Sequence, residues 1–72
     1  MPKLPIVSYK EVLKVTTKLG WEFKQQKGSH IVLGKTKNPP LTVPKHKKLK
    51  KGTLKQIIRI LDLTNEEFIN HL

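Results

Sequence analysis

The spacing of the apolar residues changes twice along this chain, and the two changes confine it to a narrow choice of architectures. Up to Leu19 the pattern is helical, with Tyr9, Val12, Leu13, Thr16 and Leu19 on one side and Lys10, Lys14 and Lys18 on another. Gly20 stands where a helix C′ residue belongs. After it the period becomes two: Trp21, Phe23 and Gln25 alternate with Glu22, Lys24 and Gln26, which predicts a strand with its aromatics turned inward. Lys27-Gly28-Ser29 supplies a turn, His30 to Leu33 a second strand, Gly34 to Pro40 a polar loop, and Leu41 to Val43 a third strand. Pro44 cannot donate to a ladder, so that strand ends there or lies at an edge. Helical spacing then returns with Leu54, Ile57, Ile58 and Leu61.

Two capping boxes mark where helices start. In Ser8-Tyr9-Lys10-Glu11 the serine can accept from a first-turn amide while the glutamate reaches back, with Val7 and Val12 as a hydrophobic staple. Thr64-Asn65-Glu66-Glu67 repeats the device with Leu63 and Phe68, predicting a short last helix over Asn65 to His71. The expected order is helix, three antiparallel strands, helix, short helix. Helices gathered on one face of such a sheet make a two-layer α+β domain. At 72 residues the chain holds one domain at most, here residues 1–72 with residues 1–7 as an N-terminal arm.

Charge narrows the function. The chain has fifteen basic and five acidic residues, a net charge of +10. Three of the acids, Asp62, Glu66 and Glu67, fall near the C-terminus, so the rest of the chain is more basic still. Such a field attracts a polyanion, above all nucleic acid, although a solvated lysine surface is the plain alternative. There is no cysteine to form a disulfide or thiolate metal site, and the histidine spacing matches no zinc pattern. No run approaches the roughly 18 apolar residues of a membrane span, and the N-terminus, with Pro2 and Pro5, lacks a signal-peptide core. These features predict a soluble cytoplasmic protein without a membrane partner.

Within this frame His30 is the residue of chemical interest. If Ile31 and Leu33 face the helices, His30 points the other way and shares the uncovered face with Lys24, Gln26 and Thr42, unless a bulge reverses the parity. An imidazole, with an ordinary pKa of about 6.5, can remove a 2′-hydroxyl proton from RNA at neutral pH. Two-metal phosphodiester chemistry wants clustered carboxylates, which this chain lacks before Asp62, so a nuclease here is expected to need no metal or other cofactor. A strand-initial histidine is, on the other hand, more often a surface or hydrogen-bonding residue than a catalytic one. From residue types alone the reading stops at a small basic nucleic-acid-binding domain.

Three segments carry it further. "QKGSH", "VPKH" and "LKKGTLKQIIRILDLTNEEF" stand in order within residues 8–70. Together they resemble the HicA toxins of toxin–antitoxin modules. The resemblance implies a double-stranded-RNA-binding-domain-like α-β-β-β-α fold, an endoribonuclease that cleaves mRNA, and inhibition by a HicB-type antitoxin. It assigns catalysis to His30. Many relatives have a second histidine next to the first, where this chain has Ile31, so the general acid stays open among water, a lysine and His46. Lys24, Lys27, Gly28 and Ser29 are expected to contact RNA around His30. Lys45, Lys47, Lys48, Lys50 and Lys51, with Gly52 and Thr53 at a helix N-terminus, are expected to hold its backbone. The antitoxin is expected to cover His30 and Val32. Trp21 and Phe23 could stack bases, but alternation makes them core residues first. The rival functions are a non-catalytic RNA-binding module, a sequence-indifferent DNA-binding protein and a decayed toxin.

Overall fold

The computed structural model describes residues 4–72. The order is α1 (Tyr9–Lys18), β1 (Glu22–Lys27), β2 (His30–Gly34), β3 (Leu41–Pro44), α2 (Lys51–Ile60) and α3 (Asn65–Asn70). The strands form one antiparallel sheet in the order β1-β2-β3, and α1 and α2 pack against β3. This is the expected two-layer α+β arrangement, consistent with a double-stranded-RNA-binding-domain-like fold.

Local sequence explains the helix ends. The Thr64 hydroxyl accepts from the Glu67 amide at 3.1 Å, and the Thr64 amide donates to Glu67 Oε1 at 2.9 Å. At α1 the Ser8 amide donates to Glu11 Oε1 over a looser 3.3 Å. Both staples close: Val7 and Val12 are buried, and Phe68 is fully buried with Leu63 packed against the core. Each long helix stops in a Schellman motif. For α1, Trp21 N–H donates to the Thr16 carbonyl at 3.0 Å and Gly20 N–H to Thr17 at 3.1 Å, with Gly20 at φ 92°. For α2, Leu63 N–H bonds the Ile58 carbonyl and Asp62 N–H that of Arg59, so Asp62 takes the left-handed position, φ 59°, without being glycine.

The core lies between α1, α2, α3 and the inner face of the sheet. The buried stripe of α1 is Val12, Val15 and Thr16, with Tyr9, Leu13 and Leu19 at its margin, so Val15 joins the face that spacing had assigned. Of the arm expected over residues 1–7, residues 1–3 lie outside the described part. Leu4 packs against the core and Val7 is buried in it, whereas Ile6 between them is 74% exposed.

One expectation about β1 fails, for a reason that matters to the site. Phe23 pairs with Leu33 but Gln25 pairs with Val32, so Lys24 is an extra residue, a β-bulge. Beyond it the parity is reversed. Gln25 and Lys27, opposite Val32 and His30, share the uncovered face, whereas Gln26 lies opposite Ile31 on the helix side. Trp21 is buried as expected, but Phe23 is 62% exposed. It does lie on the helix side, opposite Leu33. The helices, however, cover the β3 side of the sheet, so β1 overhangs and is exposed along its whole length.

Candidate functional site

His30 opens the central strand, with Lys27 of β1 directly across on one side and Pro44 of β3 on the other. It is exposed, while the next residue, Ile31, is buried opposite Val43. Alternation along β2 thus sends His30, Val32 and Gly34 to the open face and Ile31 and Leu33 to the core. Val32 is half-buried beside Thr42 and Gln25. The tight turn before His30 favours glycine through the backbone alone: Gly28 has φ 57°, while nothing stands within 4 Å of where a Cβ would be. Gln26 Nε2 donates to the Gly28 carbonyl at 3.1 Å and holds the turn from the side.

The lysine-rich segment is an arch tied down by its backbone. Lys45 N–H donates to the Ser29 carbonyl at 2.6 Å, extending the β2–β3 ladder past Pro44 and bringing the segment against the Gly28–Ser29 turn. Tyr9 N–H donates to the His46 carbonyl at 3.0 Å, and Leu49 N–H to the Val7 carbonyl at 2.9 Å. Leu49 is itself buried, so the run of lysines is pinned in its middle by an apolar anchor. Lys45 Nζ lies 6.0 Å from the centre of the Tyr9 ring, the outer limit of a cation–π contact. Lys47, Lys48, Lys50 and Lys51 are exposed.

The arch runs into α2, which starts at Lys51 with Lys50 as N-cap. No side chain caps its first turn, and no acidic residue lies in it. Gly52 faces open space, and Thr53 lines a groove along the β3 edge with Thr42 and Pro44. The structure therefore brings Lys27, Gly28, Ser29, His30 and Lys45 together, and the rest of the arch leads away toward Gly52 and Thr53. Lys24 sits apart at the other end of β1. Its side chain lies over Gly34, where a Cβ would come within 2.7 Å of Lys24 Cε.

Around Lys24 is a cleft that sequence reasoning did not single out. It is lined by Val32, Gly34, Lys35, Thr36 and Asn38 among others. The only signal for it was a polar loop following a strand. Among the described residues no three His, Asp or Glu side chains gather where they could hold a metal ion, and no helix is long and apolar enough to cross a membrane.

The family described as the HicA toxin of bacterial toxin–antitoxin systems matches residues 9–63. A chain in a solved toxin–antitoxin complex from Streptococcus pneumoniae is similar at 35% identity and a TM-score of 0.72, the match covering 82% of this chain and 100% of that one. No curated protein sequence gave a significant match.

Proposed function

The chain belongs to the HicA toxin family, and from that membership we propose that it is a metal-independent endoribonuclease that cleaves mRNA and is silenced by a HicB-type antitoxin. The observation that carries the reading is the position of His30. It is an exposed imidazole at the start of the strand paired on both sides, with Lys27 across from it and the lysine arch bonded to the adjacent Ser29.

In this reading His30 removes the proton from a ribose 2′-hydroxyl. The freed oxygen attacks the adjacent phosphorus, the bond to the 5′-oxygen breaks, and that oxygen takes up a proton as it leaves. The products are a 2′,3′-cyclic phosphate and a 5′-hydroxyl. Lys27 offsets the charge that builds on the phosphorane. Gly28 and Ser29 let the backbone approach the phosphate closely. Lys45, Lys47, Lys48, Lys50 and Lys51, with the first turn of α2 at Gly52 and Thr53, hold the RNA backbone by charge and amide donors.

The antitoxin occupies the same open face. Val32 offers an apolar contact next to His30, and an acidic partner covering both residues excludes RNA while neutralising the field. That the similar chain was solved in a toxin–antitoxin complex supports such a partner.

The test is incubation of the purified protein with a long unstructured RNA in excess EDTA, beside His30→Ala checked for folding by circular dichroism. Cleavage by the wild type that is lost in the variant is the expected result. Equal binding by both proteins with cleavage by neither would refute catalysis and leave a non-catalytic RNA-binding module.

A further inference from the structure

We propose that the cleft at the far end of the open face, formed by Lys24, Gly34, Lys35, Thr36 and Asn38, is a second subsite for the phosphate–ribose backbone of single-stranded RNA. The inference rests on the reading that this chain binds RNA, in which Lys24 is already expected to contact it, and it extends the contact surface to Gly34, Lys35, Thr36 and Asn38, to which that reading gives no role.

Geometry supplies the first argument. Gly34 is four residues beyond His30 on the same outward side of β2, a distance of about 13 Å at the rise of a strand. Val32 lies between them as a half-buried floor. An RNA strand that leaves the lysine arch and crosses His30 along β2 runs directly into the cleft. His30 then stands between two cationic anchors instead of at the edge of one.

The construction of the cleft supplies the second. Lys24, the extra residue of the bulge, lies with its side chain over the open face. Gly34 leaves the room for it, since a Cβ there would stand 2.7 Å from Lys24 Cε and 3.1 Å from Cγ. Lys35 also lines the cleft, its Cε 3.7 Å from where a Cβ on Gly20 would be. The polar wall is ordered by the chain itself. Asn38 N–H donates to the Lys35 carbonyl at 3.0 Å, Asn38 Nδ2 to the Thr36 carbonyl at 3.1 Å, and Lys37 takes a left-handed φ of 68° to complete the turn.

Charge supplies the third. The acidic group lining the cleft is Glu22, whose carboxylate is 3.7 Å from Lys24 Nζ with both side chains exposed. An exposed pair of this kind holds its partners weakly, so a phosphate can displace it. Both ammonium groups are then available to the RNA backbone, and the Thr36 hydroxyl and Asn38 Oδ1 are left for the ribose or a base edge.

The test measures binding of fluorescent single-stranded RNA in the His30→Ala background, so that no cleavage intervenes. One RNA is long enough to span from the arch to the cleft, and the other is a dinucleotide that reaches His30 alone. Lys35→Ala is compared with Lys37→Ala, which removes the same charge from the same loop but outside the cleft. For Lys35→Ala we expect a severalfold loss of affinity for the long RNA, a salt-dependence slope smaller by about 0.7 for the lost phosphate contact, and unchanged dinucleotide binding. Equal losses in the two variants, or no loss in either, would overturn the subsite while leaving the RNA reading intact. Failure of the parent protein to bind either RNA would instead bring down that reading and the subsite with it. Unchanged RNA binding by Lys35→Ala with a weakened antitoxin complex would also overturn the subsite and assign the cleft to the protein partner.

Discussion

The two phenylalanines provide a stringent check on the arrangement of sheet and helices, because alternation and capping signals alone would place both in the core. Phe68 has no exposed surface, whereas Phe23 is 62% exposed on the overhanging strand. Truncating a fully buried phenylalanine to alanine costs about 3–5 kcal/mol in lost transfer energy and cavity formation. A domain of this size has a total stability of only about 4–11 kcal/mol. Phe68→Ala is therefore expected to lower the Tm by at least about 12 °C, at the 4–8 °C per kcal/mol typical of such lengths. Phe23→Ala removes a side chain that is already mostly in water and is expected to change stability by no more than about 0.5 kcal/mol. Thermal and urea unfolding followed by circular dichroism measure both. Comparable losses in the two variants would mean that Phe23 is covered in the folded chain, and the overhang of β1, together with the parity built on it, would be wrong. The comparison also bears on α3, which lies beyond the residues 9–63 that match the family yet supplies the largest of the fully buried side chains.

Two further outcomes follow from local geometry. Gly28→Ala meets no steric neighbour, so its cost is the left-handed backbone alone, roughly 1–2 kcal/mol; Gly28→Asn should cost less, and equal costs in urea titrations would argue against the positive φ. At α3, the Thr64 amide and then the Thr64 hydroxyl interaction hold the Glu67 carboxyl below its ordinary value of 4.5. The folded state therefore gives up this proton more readily than the unfolded chain. The stabilisation is fully present above pH 4.5 and is lost as the pH falls through the folded value. The stability difference between the wild type and Glu67→Gln should be largest at neutral pH and close in acid, and a difference independent of pH would refute the linkage.

Features decided by a few consecutive residues were legible in the sequence. The Thr64 box, the Gly20 stop and the Gly28 turn each depend on local hydrogen bonding or on one dihedral angle, and all three are present. The outward placement of His30 and Val32 was legible too, because the buried partners of Ile31 and Leu33 leave one register for β2. What escaped is set by pairing and coverage. Nothing in Phe23-Lys24-Gln25 announces a bulge, which exists only in relation to β2. Likewise, alternation tells which residues share a side of the sheet but not how far the helices extend over it. The bond from Lys45 to Ser29 and the buried anchor Leu49 join distant segments, so the pinning of the lysine run could not be read from the run itself. The loop at Lys35, Thr36 and Asn38 reads as ordinary turn chemistry until Lys24 is seen lying over Gly34.

The pinning of that arch has a consequence for when the site comes into being. Its link to the segment before α1, from Leu49 to Val7, closes a loop of about 40 residues, at a chain-entropy cost of roughly 3 kcal/mol from the length term. Contacts so far apart in the chain are not made early by isolated fragments and form together with the fold as a whole. A chain emerging from the ribosome thus carries its early lysines in no fixed array, and the cationic surface beside His30 is assembled only after Leu49 has followed. For a member of a toxin family this joins potency to global folding. Destabilising substitutions anywhere in the core are expected to act on the population of molecules that possess the surface at all, leaving each folded molecule as capable as before.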